Sequence, residues 1–261
     1  FIPFREGMKK AILKGLVFVN GKPAQTALFL EGGEHIDLLE ENRDLPVFEH
    51  QLEVIFEDEH LAIINKPAGL LVSGNAFRTV VNALPFNLKP STESDGLLRP
   101  QTAHRLDYPT QGLLLVGKTH RSITALNQAF ADRQIQKTYH AVTIGEMPPK
   151  GECTIPIQDK PTHSAFRVIA SQPSPKYGAL NLVELQPHTG RRHQLRIHCA
   201  HLGNPILGDK EYGKPGLIQH GNGLYLCASQ LRFDHPITGE PMHFSRPLPK
   251  KMRRIFGDLT K

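Results

Sequence analysis

The chain has 261 residues, enough for one sizeable catalytic domain with a complete core and a small appended module. Its three cysteines, Cys153, Cys199 and Cys227, are far apart and form no C-x-x-C pair, which argues against a disulfide scaffold, a zinc ribbon or a redox pair and suits a reducing compartment. No apolar run reaches the roughly 18 residues of a membrane span and no signal peptide is visible, so a soluble, cytoplasmic protein is expected, and the net charge of +6 permits a polyanionic partner.

Residues 1–45 read as a separate small unit. Phe4, Met8, Ala11 and Ile12 share a helical face, Gly15 suits a C-cap, and Val17 and Val19 lead into the tight-turn pair Asn20-Gly21, so a helix followed by a hairpin is expected. Charge is polarised. Residues 1–22 carry Arg5, Lys9, Lys10, Lys14 and Lys22 against Glu6, whereas residues 23–45 carry six acids against Arg43. The basic part can lie on phosphate or be a solvated helix.

From Gln51 onward, short apolar runs predict strands at 53–56, 61–64, 113–116, 139–144 and 180–185. Helices are predicted over Arg121 to Asp132, with Ile123, Leu126 and Phe130 on one face, and over approximately Gly190 to Leu202. Asn87 to Pro100 and Ala170 to Pro175 read as surface loops. Runs of strands with few helices imply an α+β fold on a mainly antiparallel sheet.

Three polar clusters adjoin these runs. In His104-Arg105-Leu106-Asp107-Tyr108-Pro109-Thr110-Gln111-Gly112, a carboxylate beside an arginine precedes a buried strand, as either a loop-closing ion pair or an acid at the mouth of a cleft. Gly190-Arg191-Arg192-His193-Gln194-Leu195-Arg196-Ile197-His198 reads as a basic surface helix or as one that turns an arginine inward to a carboxylate, with Arg192 and Arg196 on one face. Lys137-Thr138-Tyr139 starts a strand with a phenol that serves either the core or a nucleobase.

Two patterns are decoys. Gly112 to Thr119 matches the nucleotide-binding pattern G-x-x-x-x-G-K-[ST], but Leu113-Leu114-Leu115-Val116 favours a buried strand whose N–H groups enter a ladder instead of converging on phosphate. His193, His198 and His201 suggest a metal, yet the first two are about 140° apart on a helix with no acid between them, so no metal is expected.

Taken together, Asn65-Lys66-Pro67-Ala68-Gly69, the Asp107 and Arg196 clusters and Lys137-x-Tyr139 resemble, in order and spacing, the RluA-type family of RNA pseudouridine synthases. Gly203-x-Pro205-Ile206-x-Gly208-Asp209-x-x-Tyr212-Gly213 and Phe233-x-His235-Pro236-x-Thr238-Gly239-Glu240 also look like that family, and the resemblance covers about residues 51–250. It implies a catalytic domain at 51–261 with a central cleft, and makes residues 1–45 look like a partial ribosomal-protein-type RNA-binding module.

The same resemblance makes Asp107 the catalytic aspartate, Arg196 its ion-pair partner and Tyr139 the ring stacked on uracil. Arg105 would help displace the base and Leu195 would wall the pocket. His104, Lys66 and Arg191, in the same motifs, join the RNA-contacting set. The partner implied is structured ribosomal or transfer RNA, with no cofactor, no DNA, no membrane and a monomeric protein. Gln111 departs from the family's usual serine, and Cys227 stands near a common histidine. The competing readings are an inert RNA-binding protein on the same fold, discriminated by Asp107 substitutions without consequence, and an NTPase that uses Lys118.

Overall fold

The computed structural model of the protein describes residues 5–39 and 46–257. They belong to two compact units, Phe1–Pro46 and Val47–Lys261. In the first, α1 (Arg5–Leu13) ends at Gly15, whose φ of 69° is the left-handed value of a helix C-terminus. β1 (Val17–Val19) turns at Asn20 and Gly21, both with positive φ, into β2 (Lys22–Pro23), and β3 (Ile36–Leu38) adds to the other edge of β1. Helix and hairpin therefore occur as their turn residues dictate. Phe4, expected on the helical face, and Arg43 lie outside the described residues.

The second unit runs β4 (Glu53–Glu57), β5 (Leu61–Lys66), α2 (Val80–Asn87), β6 (Gly96–Thr102), β7 (Gln111–Thr119), α3 (His120–Ala131) and β8 (Gln136–Ile144). It continues with β9 (Lys150–Cys153), β10 (Ser164–Ser174), β11 (Gly178–Pro187), α4 (Gln194–His201), β12 (Leu226–Asp234), β13 (Pro241–Ser245) and α5 (Lys250–Phe256). Ten strands form one sheet in the order β4-β5-β7-β12-β8-β11-β10-β9, with β6 beside β7 and β13 beside β12. Every pairing of these strands is antiparallel except β7 with β12, joined in parallel at Gln111–Cys227 and Gly112–Ala228. No helix of the described residues is long and apolar enough to cross a membrane.

The central strands have near-continuous apolar runs because both their faces are covered. Ala62, Ile64, Leu114 and Val116 enter one core cluster, while their neighbours Leu61, Ile63, Leu113 and Leu115 enter another. The segment that mimics a phosphate loop is thus a buried strand, and Lys118 Nζ donates to Glu57 Oε1 at 2.7 Å. Its glycines answer to packing. A Cβ on Gly112, at φ 129°, would lie 2.1 Å from the Ala228 carbonyl oxygen, and one on Gly117 2.9 Å from Ile123 Cβ.

Three local expectations change. The helix predicted from Gly190 begins at Gln194, because His193 takes left-handed angles (φ 56°, ψ 16°) that no helix interior accepts; Arg192 therefore shares no helical face with Arg196. The loop predicted at 170–175 is mostly strand, since β10 pairs with β11 out to Ser174 and Gly178 in a largely exposed ribbon whose polar residues imitate a loop. β6 begins at Gly96, inside the loop predicted to reach Pro100. α2 escaped prediction because Pro85 lies within it; Thr79 caps it by accepting the Asn82 N–H at 3.2 Å.

Gly112→Ala is expected to lose about 2–4 kcal/mol in urea denaturation, from a non-glycine residue at that φ combined with overpacking against Ala228. Unchanged stability would refute the close β7–β12 approach as a constraint.

Candidate active site

The loop between β6 and β7 carries Asp107, and a buried ammonium fixes it. Lys66, at the end of β5, is 0% exposed. Its Nζ donates to the carbonyl oxygens of Pro67 at 2.9 Å, Tyr108 at 3.3 Å and Thr110 at 2.8 Å. The Gly69 N–H also donates to the Tyr108 oxygen at 2.8 Å, and the Thr110 N–H to that of Asp107 at 3.0 Å. Burial lowers the Lys66 pKa to about 8, with the Asp107 charge opposing the shift. All three of its protons are engaged inside the fold, so the expectation that Lys66 contacts RNA is corrected: it is a positioning residue.

Sheet register carries this fixed point across the molecule. Lys66 pairs with Gly112, Gly112 with Ala228, Ala228 with Tyr139, and Tyr139 with Leu185. Tyr139 is therefore held in the same transverse row as the strut of the Asp107 loop. Burial, with the Asp107 charge second, raises its phenol pKa well above the usual value, so the ring stays neutral.

Asp107 and Tyr139 line a cleft of about 1350 Å³ together with His104, Arg105, Thr110, Arg191, Leu195 and Arg196. Eight lysine or arginine side chains line it against two acids, Asp107 and Glu184, so its walls favour a polyanion. Arg105 and Arg191 are exposed, and Leu195 is a buried wall on α4. His104 serves the loop's shape: its Nε2 accepts the Leu115 N–H at 3.1 Å, and its ring packs 4.9 Å from that of Phe130. Burial, helped by the Lys137 charge, pushes its pKa down to about 3, which keeps the imidazole neutral.

Arg196 is 4% exposed and faces Asp107 with Nη1, 4.0 Å from Oδ2. Its close partner is another acid. Nε and Nη2 each lie 2.7 Å from an oxygen of Asp209, a bidentate fork, and Nη2 also donates to Glu211 at 3.1 Å. Asp209 accepts the N–H groups of Glu211 and Tyr212 at 3.0 and 3.1 Å, while the Tyr212 ring lies under the guanidinium at 4.9 Å. Burial alone would raise the Asp209 pKa, but the Arg196 hydrogen bond and the two N–H groups outweigh it and the net shift is downward. Sequence reasoning placed Asp209 and Tyr212 in a motif without a role, since which acid binds an arginine depends on chain segments meeting in space.

His193 belongs both to the histidine set that suggests a metal and to the Arg196 cluster. Its Nε2 lies 3.7 Å from Asp107 Oδ1, and its Nδ1 is 3.0 Å from the Tyr212 hydroxyl and 3.4 Å from Glu211. Gln194 secures the preceding turn, its Oε1 accepting from Thr189 Oγ1 at 2.7 Å and from the Arg191 N–H at 3.1 Å. Thr110 Oγ1, buried beside Asp107, has no hydrogen-bond partner among the described residues. Elsewhere His198 Nε2 lies 2.8 Å from Thr162 Oγ1, and all three cysteines are buried and free.

A family model described as RNA pseudouridylate synthase matches residues 60–201, which contain Lys66, Asp107, Tyr139, His193 and Arg196. The chain belongs to the RNA pseudouridylate synthase family. Ribosomal large subunit pseudouridine synthase D of Vibrio cholerae is 34% identical, covering 95% of this chain and 84% of that protein. The Escherichia coli protein of that name is 33% identical over the same shares. Human RNA pseudouridylate synthase domain containing 4 shares the fold, with a TM-score of 0.64 over 79% of this chain and 92% of its own at 24% identity. The synthase is thus an RNA isomerase. Gln111 and Cys227 are direct partners in the parallel pairing of β7 and β12.

Two expectations follow from the geometry. Arg196→Met should cost about 3–5 kcal/mol in urea denaturation, because it leaves the fully buried Asp209 carboxylate without its partner. The stability supplied by Asp209 is present above its unfolded value, near 3.8, and is lost as pH falls through the lower folded value; Asp209→Asn should remove that acid limb from a stability–pH profile.

For Lys66, the folded pKa near 8 lies below the unfolded 10.5, so its contribution to stability rises with pH between those values. Turnover should do the opposite, declining through pH of about 8 as the ammonium that donates to Tyr108 and Thr110 of the Asp107 loop loses a proton. Lys66→Met should be roughly tenfold or more slower and lack that limb, since it leaves the carbonyls of Pro67 and Thr110 without a donor, each equivalent to about a kcal/mol or more.

Proposed function

We propose that the synthase isomerises uridine in large-subunit ribosomal RNA with Asp107 as its catalytic carboxylate. One observation carries this reading: in a cation-walled cleft, Asp107 is the carboxylate directed toward Arg196 Nη1 and His193 Nε2, on a loop pinned by a buried lysine. The names of the bacterial relatives support ribosomal RNA as the substrate. Transfer RNA is the other substrate to be tested, and the three free cysteines suit the cytoplasm.

The reaction breaks the bond from uracil N1 to ribose C1′, turns the base, and joins C5 to C1′; the C5 hydrogen leaves and N1 gains one, so no atoms are gained or lost overall. Asp107 begins it as a carboxylate, by attack on C1′ or removal of the 2′ proton. Arg196, itself locked by Asp209, holds that charge without moving away with it. Tyr139 offers a neutral ring for stacking, Leu195 closes the pocket, and exposed Arg105 and Arg191 contact RNA as the uridine leaves its stack. Residues 1–45 add a partial RNA-binding module through the basic face of α1 and its hairpin, while 51–261 carry the chemistry.

With unmodified large-subunit rRNA transcript tritiated at uridine C5, the wild type should release label. Asp107→Asn should reduce release by about 10⁴-fold or more, as for loss of an essential acid–base or nucleophilic group, while RNA affinity stays nearly unchanged. Equal activity in the variant would sink the assigned role, and release from transfer RNA alone would move the substrate.

A further inference from the structure

Lys137 is a cation that the scheme above does not use. It lies on β8 two residues before Tyr139, and both line the cleft. Its Nζ sits 5.6 Å from the centroid of the Phe130 ring, and a Cβ on Gly190 would come within 3.7 Å of it. Among the described residues the ammonium makes no hydrogen bond and no ion pair, in contrast to Lys66, Lys118 and Lys251, whose ammonium groups each have oxygen acceptors. Burial lowers its pKa. A partly desolvated charge without a counter-ion is costly to keep in a fold, and its neighbours suit an incoming anion: a flat ring on one side and, at Gly190, a residue with no side chain.

We infer that Lys137 is the binding site for one backbone phosphate of the RNA, next to the uridine held at Tyr139. This rests on the synthase reading of the cleft. Uracil is neutral, and RNA brings negative charge to this wall only as phosphate. The two residues from Tyr139 to Lys137 span about 6.8 Å along a strand, which places the ammonium beside the nucleotide rather than over its base. The carboxylates are distributed accordingly: Asp107, Asp209 and Glu211 surround Arg196, and none pairs with Lys137.

The test is the salt dependence of binding to unmodified large-subunit rRNA transcript, measured by filter retention. Loss of one phosphate contact should make the log–log slope shallower by about 0.7 to 0.9 in Lys137→Met. Lys137→Arg should keep the slope, as should Lys89→Met at an exposed position outside the cleft. A folded Lys137→Met with the wild-type slope would overturn the proposal, whether its defect is a lower kcat, placing the lysine on the base, or a lower melting temperature, making it a brace for Phe130. An equal change in Lys89→Met would overturn it too.

Should Lys137→Met fail to fold, acetic anhydride labelling of the wild type decides. Protection of Lys137 by the transcript supports the contact, and equal labelling with and without RNA refutes it. Tritium release from the same transcript separates the two readings. A shallower slope without wild-type turnover keeps the phosphate contact and removes ribosomal RNA isomerisation, and turnover with an unchanged slope does the reverse.

Discussion

A lysine ammonium sealed in the protein, with three carbonyl oxygens and, among the described residues, no carboxylate as ligands, is the interaction on which the site depends. Lys66 closes the end of β5 and grips the loop on which Asp107 stands. Because Lys66 is also the register partner of Gly112, the same residue fixes where β7 begins and, through Gly112 and Ala228, where β12 meets it in parallel. A charge buried without a counter-ion costs stability, and the Lys66 pKa is lowered accordingly. In return the loop has a single geometry.

Arg196 solves a second problem. A guanidinium left to one carboxylate would collapse onto it. Here the fork is occupied by Asp209, whose own second set of contacts comes from backbone N–H groups, so Nη1 alone reaches toward Asp107 at 4.0 Å. The left-handed His193 starts α4 at the position that lets Arg196 point inward and brings its own ring to Asp107. Backbone strain at such a position is acceptable when its surroundings determine it, and Tyr212 and Gln194 supply those surroundings.

Much of this was legible before the fold. Alternation and apolar runs revealed β4, β5, β7, β8 and β11, and the clusters around Asp107, Tyr139 and Arg196 mark residues that the structure brings to one cleft. What the residues left open was direction. Lys66, in a motif with a base-binding expectation, faces inward, and Arg196, in a run that reads as a basic surface helix, is buried. Composition cannot reveal this, because the same lysine or arginine suits a surface phosphate and an interior oxygen alike. The central strand β12 also went unread, since its apolar half is short and a bulge near Ser229 interrupts its alternation.

By itself, then, the sequence determined the α+β class, the order of the main strands along the chain, the false phosphate loop and the polar clusters that meet in the cleft. Those features depend on local periodicity and on residue chemistry, which a one-dimensional reading carries. Tertiary structure alone decided that Asp209 holds Arg196, that Gln111 faces Cys227, that His193 turns toward Asp107, and that Lys137 stands without a counter-ion among the described residues. Each is a meeting of residues distant in the chain or a left-handed turn imposed by packing, and such meetings follow from sheet register and burial that no short motif encodes.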